Sequence, residues 1–163
     1  MKTRWIALIL CCALMAMCAP AMASSYNGDL PEQMFKNAMD ALVLMSYGEY
    51  QEAIDILDFS ENEPSADDFR LFAEAGLTML TSGVQTEVAV ACYTDDYGWI
   101  LGVPLWKPDS MDIETFVLRS SDGATFDGYT SATWQFMDSL ARKSSNVAVY
   151  RTAEQKQKIV VTD

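Results

Sequence analysis

The apolar residues of this chain change their spacing at Gly83, and that change constrains the fold more than any other feature. Before it, Met34, Phe35, Ala38, Met39, Leu42 and Met45 recur at intervals of a helical turn, as in a helix with one apolar face. After it, Thr86 to Tyr93 (TEVAVACY), Trp99 to Trp106 (WILGVPLW) and Ile113 to Arg119 (IETFVLR) are rich in β-branched and aromatic residues, the composition of strands. Helices gathered first and strands second define the α+β class. The expectation is about three N-terminal helices, then an antiparallel β-sheet with one further helix and short C-terminal strands.

Local signals place the boundaries. Asp29 can cap the first helix, with Pro31 in its first turn and Glu32 three residues after the cap, a capping-box arrangement. Gly48 ends it. Tyr50, Ala53, Ile54 and Leu57 mark a shorter second helix, broken by Glu61-Asn62-Glu63-Pro64. Ser65 caps a third, with Asp68 three residues on and Phe69, Phe72, Ala73 and Leu80 as its stripe. Thr94 to Gly98 is a hairpin signal, and Lys107 to Ser110 and Ser120 to Gly123 are turns. A short extended piece at Phe126 to Tyr129, a helix at Thr133 to Lys143 and strands at Val147 to Arg151 and Lys158 to Val161 complete the chain.

The hairpin pattern also predicts a register. With Asp95 to Gly98 as the turn, Thr94 stands opposite Trp99, and Cys92, Val90 and Val88 pair with Leu101, Val103 and Leu105. Paired side chains share a face, so these six form the core face. The other face carries Tyr93, Ala91, Ala89, Ile100, Gly102, Pro104 and Trp106. Such a trough of small residues either receives a helix or stays open to a ligand held between Tyr93 and Trp106.

Residues 1–23 read as a signal peptide. Lys2 and Arg4 precede an apolar run from Trp5 to Met17, and Ala21 and Ala23 supply the small residues of a cleavage site. The alternative is an uncleaved membrane anchor. Cleavage leaves a flexible leader at 24–30 and a single domain at 31–163, with a helical part at 31–83 and a mainly antiparallel sheet at 84–163 that includes helix 133–143. The mature chain is then extracytoplasmic, secreted or envelope-exposed, with no transmembrane segment. Cys11, Cys12 and Cys18 depart with the signal, so Cys92 is the sole remaining cysteine and no internal disulfide can form.

Two short resemblances arise. Tyr47-Gly48-Glu49-Tyr50-Gln51-Glu52-Ala53, within Ala41 to Leu57, resembles one helix-turn-helix of a tetratricopeptide repeat. No matching unit recurs one period later, and no function follows from it. Helices followed by an antiparallel sheet also look like the cone-shaped NTF2-like domains, whose sheet curls round a pocket. The late helix at Thr133 to Lys143 departs from that order.

Charge and missing residue types narrow the chemistry. The chain has 23 acids against 11 bases and a net charge of −12. All the acids lie after the signal, and eleven of them fall between Ser24 and Phe69 with Lys36 as the lone base there. Phosphate backbones repel such a chain, so nucleic acid is not an expected partner. An acidic surface is either a solvated face or a dock for a basic partner. With 0 histidines there is no Ser-His-Asp or Cys-His machinery, and no thiolate or histidine metal site. No cofactor or metal is expected.

The remaining candidates are carboxylates. Asp109, Asp112 and Glu114 lie between two strands beside Trp106. Paired carboxylates can hydrolyse glycosides, and aromatic rings suit sugar faces. These three are the catalytic candidates, and Tyr93 with Trp106 the ligand-binding ones. The leading expectation is a non-catalytic domain that binds a protein or small ligand. The alternative is a small carboxylate hydrolase acting on envelope glycan.

Overall fold

The computed structural model describes residues 30–106, 112–144 and 146–151. Helices α1 (Glu32–Ser46), α2 (Tyr50–Leu57) and α3 (Ala66–Gly76) precede strands β1 (Val88–Thr94), β2 (Gly98–Trp106), β3 (Ile113–Ser120) and β4 (Gly128–Thr133). Helix α4 (Trp134–Ala141) and strand β5 (Asn146–Arg151) follow. The strands form one five-stranded sheet of order β4-β3-β2-β1-β5, antiparallel at every pairing. The α+β architecture is therefore as the sequence predicts. The signal segment, residues 24–29 of the leader, the turn at Lys107 to Ser110 and Lys158 to Val161 lie outside the described residues, while Leu30, the last residue of the leader, is buried in the core.

The caps and helix ends differ in detail. Pro31 rather than Asp29 takes the N-cap of α1 and offers no side-chain cap, so the helix starts further along the chain. The Ser65 cap of α3 forms as expected, its Oγ accepting the Asp68 N–H at 3.2 Å. Helix α3 stops at Gly76 instead of running to Leu80. Leu77 turns inward and is buried, while the Glu114 carboxylate on β3 accepts the Met79 N–H at 2.7 Å and a hydrogen bond from the Thr78 hydroxyl. The loop after α3 is thus held by a side chain distant in sequence, which local spacing cannot show. Strand β4 also begins after Phe126, which instead bridges to Phe59.

Helices α1 to α3 cover one face of the sheet. Ala89, Ala91, Leu101, Val103, Leu105, Phe116 and Leu118 meet Met39, Leu42, Ile54, Leu57 and Phe69 there in one buried cluster. Helix α4 covers the other face, where Met137 packs on Val90, Cys92, Ile100 and Val117. The sheet is therefore buried between helices on both sides, unlike a cone open around a pocket.

The hairpin register is one residue from that predicted. Thr94 pairs with Gly98, Cys92 with Ile100 and Val90 with Gly102. Gly98, at φ +71°, joins the ladder and leaves a three-residue loop at Asp95–Tyr97, one of the common hairpin connections. A Cβ there would lie 2.8 Å from the Ser120 carbonyl oxygen, so the position has no room for a side chain. A one-residue slip sends every side chain to the opposite face. Val88, Val90 and Cys92 consequently face α4, while Leu101, Val103 and Leu105 face α1 to α3. The small residues are divided in the same way. Ala89 and Ala91 lie under the first three helices, and Gly102 lies under α4, where a Cβ would sit 2.8 Å from Met137 Cε. The single trough of small residues that the predicted register implies therefore does not form, and helices cover both faces.

Cys92 is fully buried. Burial pushes its thiol up to about 11, against a smaller downward pull from Ser144. Thiolate is the reactive form, so a thiol reagent should label native protein only as fast as it unfolds. Labelling that is complete before unfolding begins would show that α4 lifts from the sheet.

Candidate functional site

In a run of antiparallel strands, alternate turns fall at the same end. The β1–β2 loop and the β3–β4 loop therefore meet, joined by the α2–α3 connection through the Phe59–Phe126 bridge and the Ser60 N–H donated to the Phe126 carbonyl at 2.9 Å. Between the three lies a cleft of about 840 Å³. Glu61, Asp95, Asp96, Asp122 and Asp127 bring five carboxylates to it, against the single guanidinium of Arg119. Tyr93 and Tyr97 also line it.

The carboxylates fall into two sets. Asp127 and Asp122 are built into the loop. Asp127 Oδ1 lies 2.5 Å from Arg119 Nε, and its Oδ2 accepts the Ser121 N–H at 3.0 Å. Asp122 Oδ1 accepts the N–H groups of Ala124 and Thr125 at 2.9 and 3.0 Å, and its Oδ2 accepts the Thr125 hydroxyl. Burial raises both acidities' pKa, but the hydrogen bonds to Thr125, Ala124 and Ser120 outweigh it at Asp122, and those to Ser121 with Arg119 outweigh it at Asp127. Both carboxyls consequently lie below their usual value of 3.8. Glu61, Asp95 and Asp96 form the second set. They have no ion pair or hydrogen bond among the described residues and face solvent.

A pH dependence follows from the first set. A carboxyl with a depressed folded value stabilises the loop above its unfolded value and loses that contribution as pH falls through the folded one. The loop at 120–127 should stay closed at pH 5 and open only below about pH 4. The Ala124 and Thr125 amide resonances, followed by NMR against pH, should titrate with midpoints under 3.8. A midpoint above that value would show that these hydrogen bonds do not persist in solution.

The residues singled out from sequence are not brought together. Asp109 lies outside the described residues. Glu114 is committed to Thr78 and Met79, and pairs with Leu105 on the face toward α1 to α3. Trp106 is half-exposed and belongs to the opposite face, opposite Ile113. Asp112 precedes β3 at the same end as Trp106, away from the cleft. Tyr93 is buried against Trp99 with ring centroids 5.5 Å apart, at the hairpin end of β1. Tyr93 and Trp106 thus lie on opposite faces and at opposite ends of the sheet. In the sequence the cleft's acids belong to separate local features: a helix break at Glu61, turns at Asp95, Asp96 and Asp122, and a short extended piece at Asp127. The alternation of turns in an antiparallel sheet was the signal that could have joined Asp95 and Asp96 to Asp122 and Asp127.

Among the described residues no three acidic or sulfur side chains gather into a metal-binding group. Nor is any helix among them long and apolar enough to cross a membrane. No family model, curated protein or solved structure matches this chain.

Proposed function

We propose that this chain is an exported, non-catalytic domain that binds a basic polypeptide through the cleft at the hairpin end of its sheet. The observation that supports this is the juxtaposition of Asp95, Asp96 and Glu61, which have no ion pair or hydrogen bond among the described residues, around a recess of about 840 Å³. An unneutralised acidic recess attracts cations and speeds their encounter. Glycoside hydrolysis needs one carboxyl kept protonated as the acid. Asp122 and Asp127 are shifted the other way, which favours binding over the hydrolase alternative.

An oligolysine decapeptide tests the reading by isothermal titration. Asp95→Asn with Asp96→Asn should weaken its binding about tenfold, and 0.5 M salt should abolish it. Glu49→Gln with Glu52→Gln removes two exposed charges at the start of α2 and should have little effect. Equal losses in the two double variants would reduce the interaction to net charge and overturn the cleft assignment. For export, the mature N-terminus should be found at Ser24 or within a residue or two. Intact Met1 on membrane-bound material would refute cleavage.

A further inference from the structure

Strand β4 is an edge. Its residues Gly128–Thr133 pair with β3 on one side. Among the described residues no backbone group pairs with the other side. Natural edges are usually blunted by a charge, a proline or a bulge, and the β4 sequence GYTSAT contains neither charge nor proline. The other edge, β5, carries Arg151.

Beside β4 runs an apolar groove of about 290 Å³ on the α4 face of the sheet. Ile100, Val117 and Thr130 form its floor and Phe136 of α4 its wall. Phe136 remains 46% exposed. Gly128, which has no side chain, leaves the mouth open next to Arg119. Arg119 also lines the acidic cleft, so groove and cleft adjoin at the Gly128 end of β4.

We infer that β4 accepts an extended peptide segment of the basic partner as a sixth strand. This inference rests on the binding reading above and identifies the form its partner takes. Main-chain hydrogen bonds to a sheet edge supply affinity, and pockets for alternate side chains supply selectivity. Apolar side chains at alternate positions enter the groove against Phe136. Basic residues at the end passing Gly128 reach Glu61, Asp95 and Asp96. Complementary charge also argues against a second copy as the occupant, because a chain of net charge −12 repels its own kind.

The probe is a synthetic octapeptide of alternating valine and threonine ending in two lysines, which lie at the Gly128 end if the strand adds antiparallel. Titrated into 15N-labelled protein, it should shift and slow the exchange of β4 amides and shift those around Phe136. N-methylation of alternate peptide amides removes the edge hydrogen bonds without altering the protein, and should weaken binding about tenfold or more. Gly128→Val should do the same by filling the groove mouth. The fold should tolerate it, since a Cβ at Gly128 meets nothing nearer than Arg119 Nε at 3.7 Å. Indifference to N-methylation, with binding still dependent on the lysines and on Asp95 and Asp96, overturns strand addition and leaves the cleft reading standing. Binding that needs the free amides but survives replacement of the lysines by glutamate overturns the cleft reading, and with it the basic partner inferred here. Absence of any shift overturns the inference, as does a dimer of the protein alone whose β4 amides are already protected.

Discussion

Phe69→Ala should cost about 3–5 kcal/mol, a large share of the roughly 5–15 kcal/mol that holds a domain of this size together. Phe69 is fully buried on α3, and its ring meets four others. Centroid distances are 5.0 Å to Tyr129, 5.9 Å to Phe72, 6.3 Å to Phe116 and 6.4 Å to Phe59. These rings come from the α2–α3 connection, α3, β3 and β4, so one side chain fastens the helical part to the far side of the sheet. Truncation removes apolar burial and leaves a cavity that rings held by separate elements cannot collapse to fill. Urea or thermal unfolding should show a fall in midpoint temperature of roughly 6–20 °C. A loss below about 1 kcal/mol would show that the cluster repacks freely.

Ala91→Trp is also expected to destabilise the fold, for the opposite reason. Ala91 is completely buried on the central part of the sheet, beneath α1 to α3. An indole there must push the helices outward or force strained rotamers, at a cost of about 1–3 kcal/mol or more. Chemical denaturation of the variant beside the parent measures it. An unchanged midpoint would mean that the helices do not lie against β1 in solution, and that this face is available to a ligand after all.

The class of the fold was legible because it rests on short-range periodicity. The stripe from Met34 to Met45, the Ser65 cap and the β-branched runs each fall within a few residues. What was not legible depended on a single conformation or on contacts distant in sequence. Gly98 could belong either to the turn or to the ladder. Its left-handed backbone suits both, and the neighbour that leaves no room for a Cβ there, Ser120 of β3, is distant in sequence. That one ambiguity reversed the faces of half the hairpin and separated Tyr93 from Trp106. Glu114 likewise resembled a free acid beside an aromatic ring. It is instead the anchor for the Thr78–Met79 loop, 35 or more residues away. The cleft is not legible in the sequence because each of its acids has an adequate local explanation in a turn, a helix break or a short extended piece. Only the parity of the strands brings them together.

The pairing of β1 with β5 has a consequence for how the chain is made. Every other ladder joins strands that follow one another in sequence, so each can zip as soon as its turn has emerged. Strand β1 must wait for a partner that emerges only after β2, β3, β4 and α4. At ~5–20 residues per second, its outer edge stands unpaired on the order of several seconds in each new chain. During that interval Val88 to Thr94, an apolar segment without a charge or a proline, is the natural place for two nascent copies to stick. Crowding of newly made chains is therefore a condition under which this protein should be lost to aggregation.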